Sequence, residues 1–144
     1  MMDQAIKMLL IEDDEVDAEA VIRAFAKQEV HTVITAVSNG VEALEVMLNK
    51  ERKDALAWPY LILLDLNMPR MNGLEFLHAI RQNPELKRSI VFMLTTSNQD
   101  EDKRAAYEEH VAGYFVKSKA GKDYVPITKL IELYWQLVEF PPKY

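Results

Sequence analysis

Cysteine is absent from the 144 residues, so neither a disulfide framework nor a thiolate metal site is available, and nothing calls for an oxidising compartment. Long apolar runs are absent too. The opening stretch MMDQAIKMLLIEDDEVD holds an apolar run too short for a secretory signal or a membrane span, and carboxylates close it. A cytoplasmic protein with no membrane partner is therefore expected. Basic charge is in the minority: 17 Lys and Arg face 23 Asp and Glu, for a net charge of -6. That balance opposes adhesion to a nucleic-acid backbone, so no nucleic acid is expected among the partners. Internal repeats, low-complexity tracts and interdomain linkers are missing as well. With 49% hydrophobic residues, a chain of this size builds one core and has no room for a second. The expectation is a single domain over 1-144, with its core at about 6-137 and a short tail at 138-144.

What the sequence does contain is an apolar pattern that switches between short continuous runs and helical periodicity, the signature of βα units around a parallel sheet. The runs are Met8 to Ile11, Val33 to Val37, Tyr60 to Leu66, Ile90 to Leu94 and Tyr114 to Val116. Their Ile, Val and Leu content suits strands buried on both faces. A helical segment follows each run. Ala18, Val21, Ile22 and Phe25 in the first, and Gly73, Phe76, Leu77 and Ile80 in the third, fall at i, i+3, i+4 and i+7, which predicts that both lay one face on the sheet. The second is expected from Asn39 through Val41, Leu44 and Leu48, before a solvated insertion, KERKDALAWP. The fourth, Asn98 to His110, is largely polar and carries Asp100, Glu101 and Asp102 near its N-terminus, where the helix dipole favours negative charge. The fifth opens at Pro126, turns Ile127, Leu130, Ile131 and Tyr134 to one side, and is stopped by Pro141 and Pro142. The fold class is α/β, a (βα)5 doubly wound five-stranded parallel sheet.

In open sheets of this kind ligands bind beyond the carboxyl ends of the strands. Strand one ends in Glu12-Asp13-Asp14, strand three in Asp65 followed by Leu66-Asn67-Met68-Pro69, strand four in Thr95-Thr96-Ser97, and strand five in Lys117. A parallel sheet brings these distant sets to one rim. Magnesium, a hard cation that takes one or two carboxylates together with water and phosphate oxygens, fits such a cluster. Beside that ion the Asp65 carboxylate is placed to attack a phosphoryl group, and Lys117 and the Thr95 hydroxyl are suitable donors to its oxygens. Any single acidic residue at a strand end is equally well a solvated turn former; the convergence of the whole set argues for chemistry. Asp14 reads as the N-cap of the first helix before it reads as a ligand. His31, His78 and His110 stand alone, as surface or helix-packing residues, and Trp58 and Trp135 lie away from the predicted strand ends.

The segments IEDD, LLDLNMPRMNG, LTTS and GYFVKS, spread from about Ile6 to Leu137, resemble the response-regulator receiver domains of two-component signalling. The resemblance implies a flavodoxin-like fold with strand order 2-1-3-4-5. It makes Asp65 the phosphoacceptor, Asp13 a direct magnesium ligand, Glu12 its partner acting through water, and the Asn67 backbone carbonyl a further metal ligand. Thr95, Tyr114 and Lys117 become the readout, through which phosphorylation repacks the face made by helix four, strand five and helix five. On its own, a tyrosine in a buried strand is more often core than switch. Such a protein is not an enzyme beyond its own phosphotransfer and dephosphorylation, and its phosphoryl donor is a sensor histidine kinase. Three departures stand out. Ser118 replaces the proline that usually follows the lysine and often carries a cis bond, which costs a non-proline residue about 2.5 to 4 kcal/mol. Thr96 is bulkier than the usual Ala or Gly, and Asn67 and Ser97 occupy positions that tune the attacking water, so a changed phosphoryl lifetime is implied.

The last helix, VPITKLIELYWQLVEF, carries more apolar residues than one buried stripe needs, leaving Leu133, Trp135, Leu137 and Phe140 over. Surplus apolar surface points to a partner, here a second copy docking through the face of helix four, strand five and helix five; the plainer alternative is a tail folded back on its own domain. KSKAGKDY, LTTSN and the Tyr-Trp pair also resemble the small receivers paired with bacterial phytochrome kinases, which implies a light-sensing donor and a homodimer. Two other functions compete. A pseudo-receiver scaffold would bind partners irrespective of phosphate, against the retention of every reactive position. A hydrolase with an aspartyl-phosphate intermediate, faintly similar to haloacid-dehalogenase phosphatases at DLN, would need a cap domain that the short chain lacks.

Overall fold

A computed structural model describes residues 5-53 and 56-143. The elements run β1 (Ile6–Ile11), α1 (Glu15–Lys27), β2 (Thr32–Val37), α2 (Gly40–Leu48), β3 (Leu61–Leu64), α3 (Gly73–Gln82), β4 (Ile90–Thr95), α4 (Asp100–Glu108), β5 (Gly113–Val116) and α5 (Val125–Leu137). Two 3-10 turns, Lys117–Lys119 and Lys122–Tyr124, join β5 to α5. All pairings are parallel and the order is β2-β1-β3-β4-β5, the flavodoxin-like arrangement expected. The chain reverses its direction of winding between β1 and β3, and that switch point opens a crevice at the carboxyl rim.

Period-two alternation sends neighbouring side chains to opposite layers. Leu9, Ile11, Ile62 and Leu64 pack with Phe76, Leu77 and Ala106 beneath α2, α3 and α4. Met8, Leu10, Leu61 and Leu63 pack with Val21, Phe25, Ile127 and Ile131 beneath α1 and α5. Helix starts are set locally. The Asp14 carboxylate caps α1, as expected, accepting from the Val16 and Asp17 amides. Asn39 caps α2, and Asn72 with Glu75 forms a capping box on α3. The first turn of α4 holds Asp100, Glu101 and Asp102, as the dipole argument requires.

Several helical faces differ from the periodic expectation. Ile22 and Leu130 are exposed, whereas Ala24 and Thr128 are buried. In both helices a narrow stripe touches the sheet, and the i+4 or i+3 member falls at its margin. Leu48 likewise emerges at the end of α2 while Ala43, Val46 and Met47 face inward. The strands are not all buried on both faces: β2 is an edge, and Val33 on it is exposed. The fifth helix ends at Leu137, ahead of Pro141 and Pro142. The insertion after α2 is solvated at Lys50, Glu51 and Lys53, but Leu56 and Trp58 pack on the core and Trp58 meets Tyr60 edge-on; Asp54 and Ala55 lie outside the described residues.

Candidate phosphoacceptor and metal site

Register places the acidic groups. Ile11 pairs with Leu64, so the next residues, Glu12 and Asp65, leave the sheet side by side, and the Asp65 amide donates to the Ile11 carbonyl at 2.9 Å. The Asp65 side chain is buried and accepts from the Leu66 amide at 2.8 Å. Gly73, the first residue of α3, donates its amide to the Leu66 carbonyl at 2.8 Å. A Cβ there would lie 2.5 Å from the Asp65 carbonyl oxygen, so only glycine lets α3 approach the end of β3 this closely. Glu12, Asp13 and Asp65 each bring a carboxylate oxygen within 4.8 Å of the others, with Asp13 exposed and the other two buried. A donor set made only of carboxylate oxygens suits a hard divalent cation.

The Lys117 ammonium donates to Glu12 Oε1 at 2.6 Å and to Asp17 Oδ2 at 2.8 Å. Burial pushes the Glu12 carboxyl up to about 8; Lys117 opposes this, and the Asp65 carboxylate adds to it. Burial pulls the Lys117 ammonium down, but its bonds to Asp17 and Glu12 outweigh that and hold it above the usual lysine value. Asp17 is the residue that sequence reasoning missed. It lies in the first turn of α1, where an acid is accounted for by the dipole, and only the return of Lys117 from the far end of the chain gives it a partner.

Thr95 is fully buried at the end of β4, and its hydroxyl accepts from the Ser97 amide at 3.4 Å. The Tyr114 hydroxyl donates to the Ser97 carbonyl at 3.0 Å, so β5 is tied to the loop that follows Thr95. Burial holds the Tyr114 phenol above its ordinary pKa. The Ser97 hydroxyl in turn bonds the Asp102 carboxylate on α4. Asn67 and Thr96 are exposed beside the acidic crevice, on the loops after β3 and β4. The Lys117–Ser118 peptide is trans and begins a 3-10 turn, so the missing proline imposes no cis bond; the cis peptide of the described chain is Trp58–Pro59.

Residues 8–126 match the family described as the response regulator receiver domain. The chain belongs to that family. This receiver is 36% identical to the response regulator Rcp1 of Synechocystis sp. over 89% of its own length and 87% of the relative's. It superposes on the phosphorylated cyanobacterial phytochrome response regulator RcpA with a TM-score of 0.82 at 35% identity, covering 96% of this chain and 100% of that one. Against the Mn(2+)-bound form of Rcp1 the TM-score is 0.80 at 35% identity, with 95% and 99% covered. By these likenesses it resembles receivers of the phytochrome-associated type. His31 and His78 stand apart from the crevice of this receiver, His78 facing Glu109 at 3.5 Å, and His110 turns the chain into β5 with a positive φ. No helix among the described residues is long and apolar enough to cross a membrane.

Proposed function

We propose that residues 1-144 act as one phosphorylation switch, in which Asp65 takes a phosphoryl group from the phosphohistidine of a sensor histidine kinase. The observation that carries it is the meeting of the Glu12, Asp13 and Asp65 carboxylates within 4.8 Å. Asp13, Asp65 and the Asn67 backbone carbonyl would hold a magnesium ion, with Glu12 acting through water; the ion supplies positive charge against the phosphoryl oxygens. An Asp65 oxygen attacks phosphorus, the P–N bond breaks, and its electron pair returns to the imidazole nitrogen, which takes a proton from water. Lys117 and the Thr95 hydroxyl donate to the phosphoryl oxygens. Thr95 leaves the Ser97 amide to do so, which loosens the loop that Tyr114 holds and biases the face of α4, β5 and α5 towards a second packing.

That face would receive a second copy of the chain. Leu130, Leu133, Leu137 and Val138 at α5 and Tyr107 on α4 are exposed there, whereas Trp135 and Phe140 turn back onto Tyr134 and the core. The donor kinase would be a bacterial phytochrome, by likeness to RcpA. Light scattering coupled to size-exclusion chromatography, with magnesium alone and with beryllofluoride added, tests both statements on wild type and Asp65→Asn. A change of mass or elution in wild type only is expected. An unchanging dimer in every sample would favour constitutive assembly, with phosphate signalling to another partner or, as in the pseudo-receiver scaffold, not at all.

A further inference from the structure

Lys117 is held by two carboxylates, and only one of them belongs to the acidic trio. Its ammonium bonds Glu12 at 2.6 Å and Asp17 at 2.8 Å. No ion pair joins it to Asp65 among the described residues, although the Asp65 charge is near enough to act on it. The Lys117 side chain is 10% exposed and that of Asp17 34%, so this is a crevice contact with one wet partner. The Asp17 backbone is anchored in the first turn of α1, its amide donating at 3.2 Å to the Asp14 carboxylate that caps the helix. An ammonium has three N–H donors, and two are already spent. A phosphoryl group on Asp65 must therefore share the third or win one back.

We propose that Asp17 is a positioning residue that draws the Lys117 ammonium away from Asp65 and so restrains uptake and retention of the phosphoryl group. The inference rests on the function proposed above. Glu12 cannot exert this restraint alone, because it lies within the trio and any cation bound there attracts its charge away from Lys117. Asp17 stands outside the trio, so a cation bound there does not draw its charge away from the ammonium. Since Asp17 is partly exposed, its grip is worth a several-fold effect and not orders of magnitude.

Calorimetric titration of beryllofluoride, a stand-in for the bound phosphoryl group, into the full chain at saturating magnesium tests this. The set is wild type, Asp17→Asn, Asp17→Glu, Lys117→Gln, Asp17→Asn with Lys117→Gln, and Asp65→Asn. Asp17→Asn is expected to bind about three- to tenfold tighter, the range of a partly exposed charged pair. Asp17→Glu should stay near wild type, and the gain should vanish on the Lys117→Gln background, because it is exerted through the ammonium. Unchanged or weaker binding in Asp17→Asn overturns the proposal. So does a gain that persists without Lys117, which would assign the effect to the lost negative charge. If wild type binds no better than Asp65→Asn, the phosphoacceptor function itself fails and takes this inference with it; wild-type binding through Asp65 with no effect at Asp17 sinks the inference alone.

Discussion

The two rims of the sheet are built on opposite electrostatic plans. At the carboxyl rim three carboxylates crowd together, and the Lys117 ammonium that reaches one of them, Glu12, is shared with a fourth at Asp17. At the amino rim the cations spend their donors on backbone carbonyls. Arg81, at the end of α3, donates to the carbonyls of Glu109 at 2.7 Å, Lys87 and Ser89 at 2.8 Å, and His110 at 3.1 Å, and so fastens the entries to β4 and β5. Trp58 and Arg88 hold the tail through the carbonyls of Pro141 and Lys143, and Lys7 donates to Ala57. Glu109 Oε2 is a buried exception with no hydrogen-bond partner among the described residues. A rim satisfied by its own backbone is rigid, whereas a rim left with unbalanced charge is completed by what binds there.

Breaking the satisfied rim should cost most. Arg81→Met is expected to lower the unfolding free energy by about 2 to 4 kcal/mol, since four carbonyls, two of them in partly buried contacts, lose a charged donor at once. Beryllofluoride affinity should stay within about twofold, because the damage lies at the opposite end of the strands; urea unfolding and calorimetry on the same samples read both quantities. A variant that lost binding as strongly as stability would show that the rims are coupled and the contrast between them false.

Gly73→Ala attacks the reactive rim through its backbone. Its methyl would lie 2.5 Å from the Asp65 carbonyl oxygen and 2.8 Å from the Leu66 Cα, so α3 or the loop after β3 must shift. A loss of about 1 to 3 kcal/mol is expected, in the range of overpacking, with beryllofluoride affinity falling alongside stability. Here the two quantities should move together, unlike at Arg81.

The smallest effect is a pH dependence confined to the acidic crevice. Glu12 has its pKa raised by burial from 4.5 to about 8, so the folded protein holds this proton more tightly than the unfolded chain. The stability it contributes is complete below about pH 4.5 and is lost as pH rises through about 8. Magnesium favours the deprotonated form and should offset the loss, so urea midpoints with and without the ion should coincide near pH 5 and separate by pH 8. Parallel curves across that range would mean that Glu12 does not sense the site.

Much of this receiver was legible in its residues because parallel strands buried on both faces write continuous apolar runs, and because the groups of the acidic crevice stand at or directly after the ends of those runs. Glu12, Asp13, Asp65, Thr95 and Lys117 all follow such runs, and the caps at Asp14 and Asn39 are local events between residues a few positions apart. Exposure was harder to read. Ile22 and Leu130 obey the helical period yet face solvent, since periodicity finds a face but not the width of the sheet beneath it.

What the chain determined by itself was the alternation of elements, the parallel sheet and the identity of the groups on the reactive rim, all of which depend on neighbours in sequence and on strand ends. Tertiary structure alone decided which groups meet. Lys117 reaches Glu12 across 105 residues and Asp17 across 100, Trp58 reaches Pro141 across 83, and a single guanidinium at Arg81 gathers carbonyls from two loops. Such partners are chosen by distance in space after the sheet has formed, and an acid or a tryptophan met along the chain carries no mark of the group it will face.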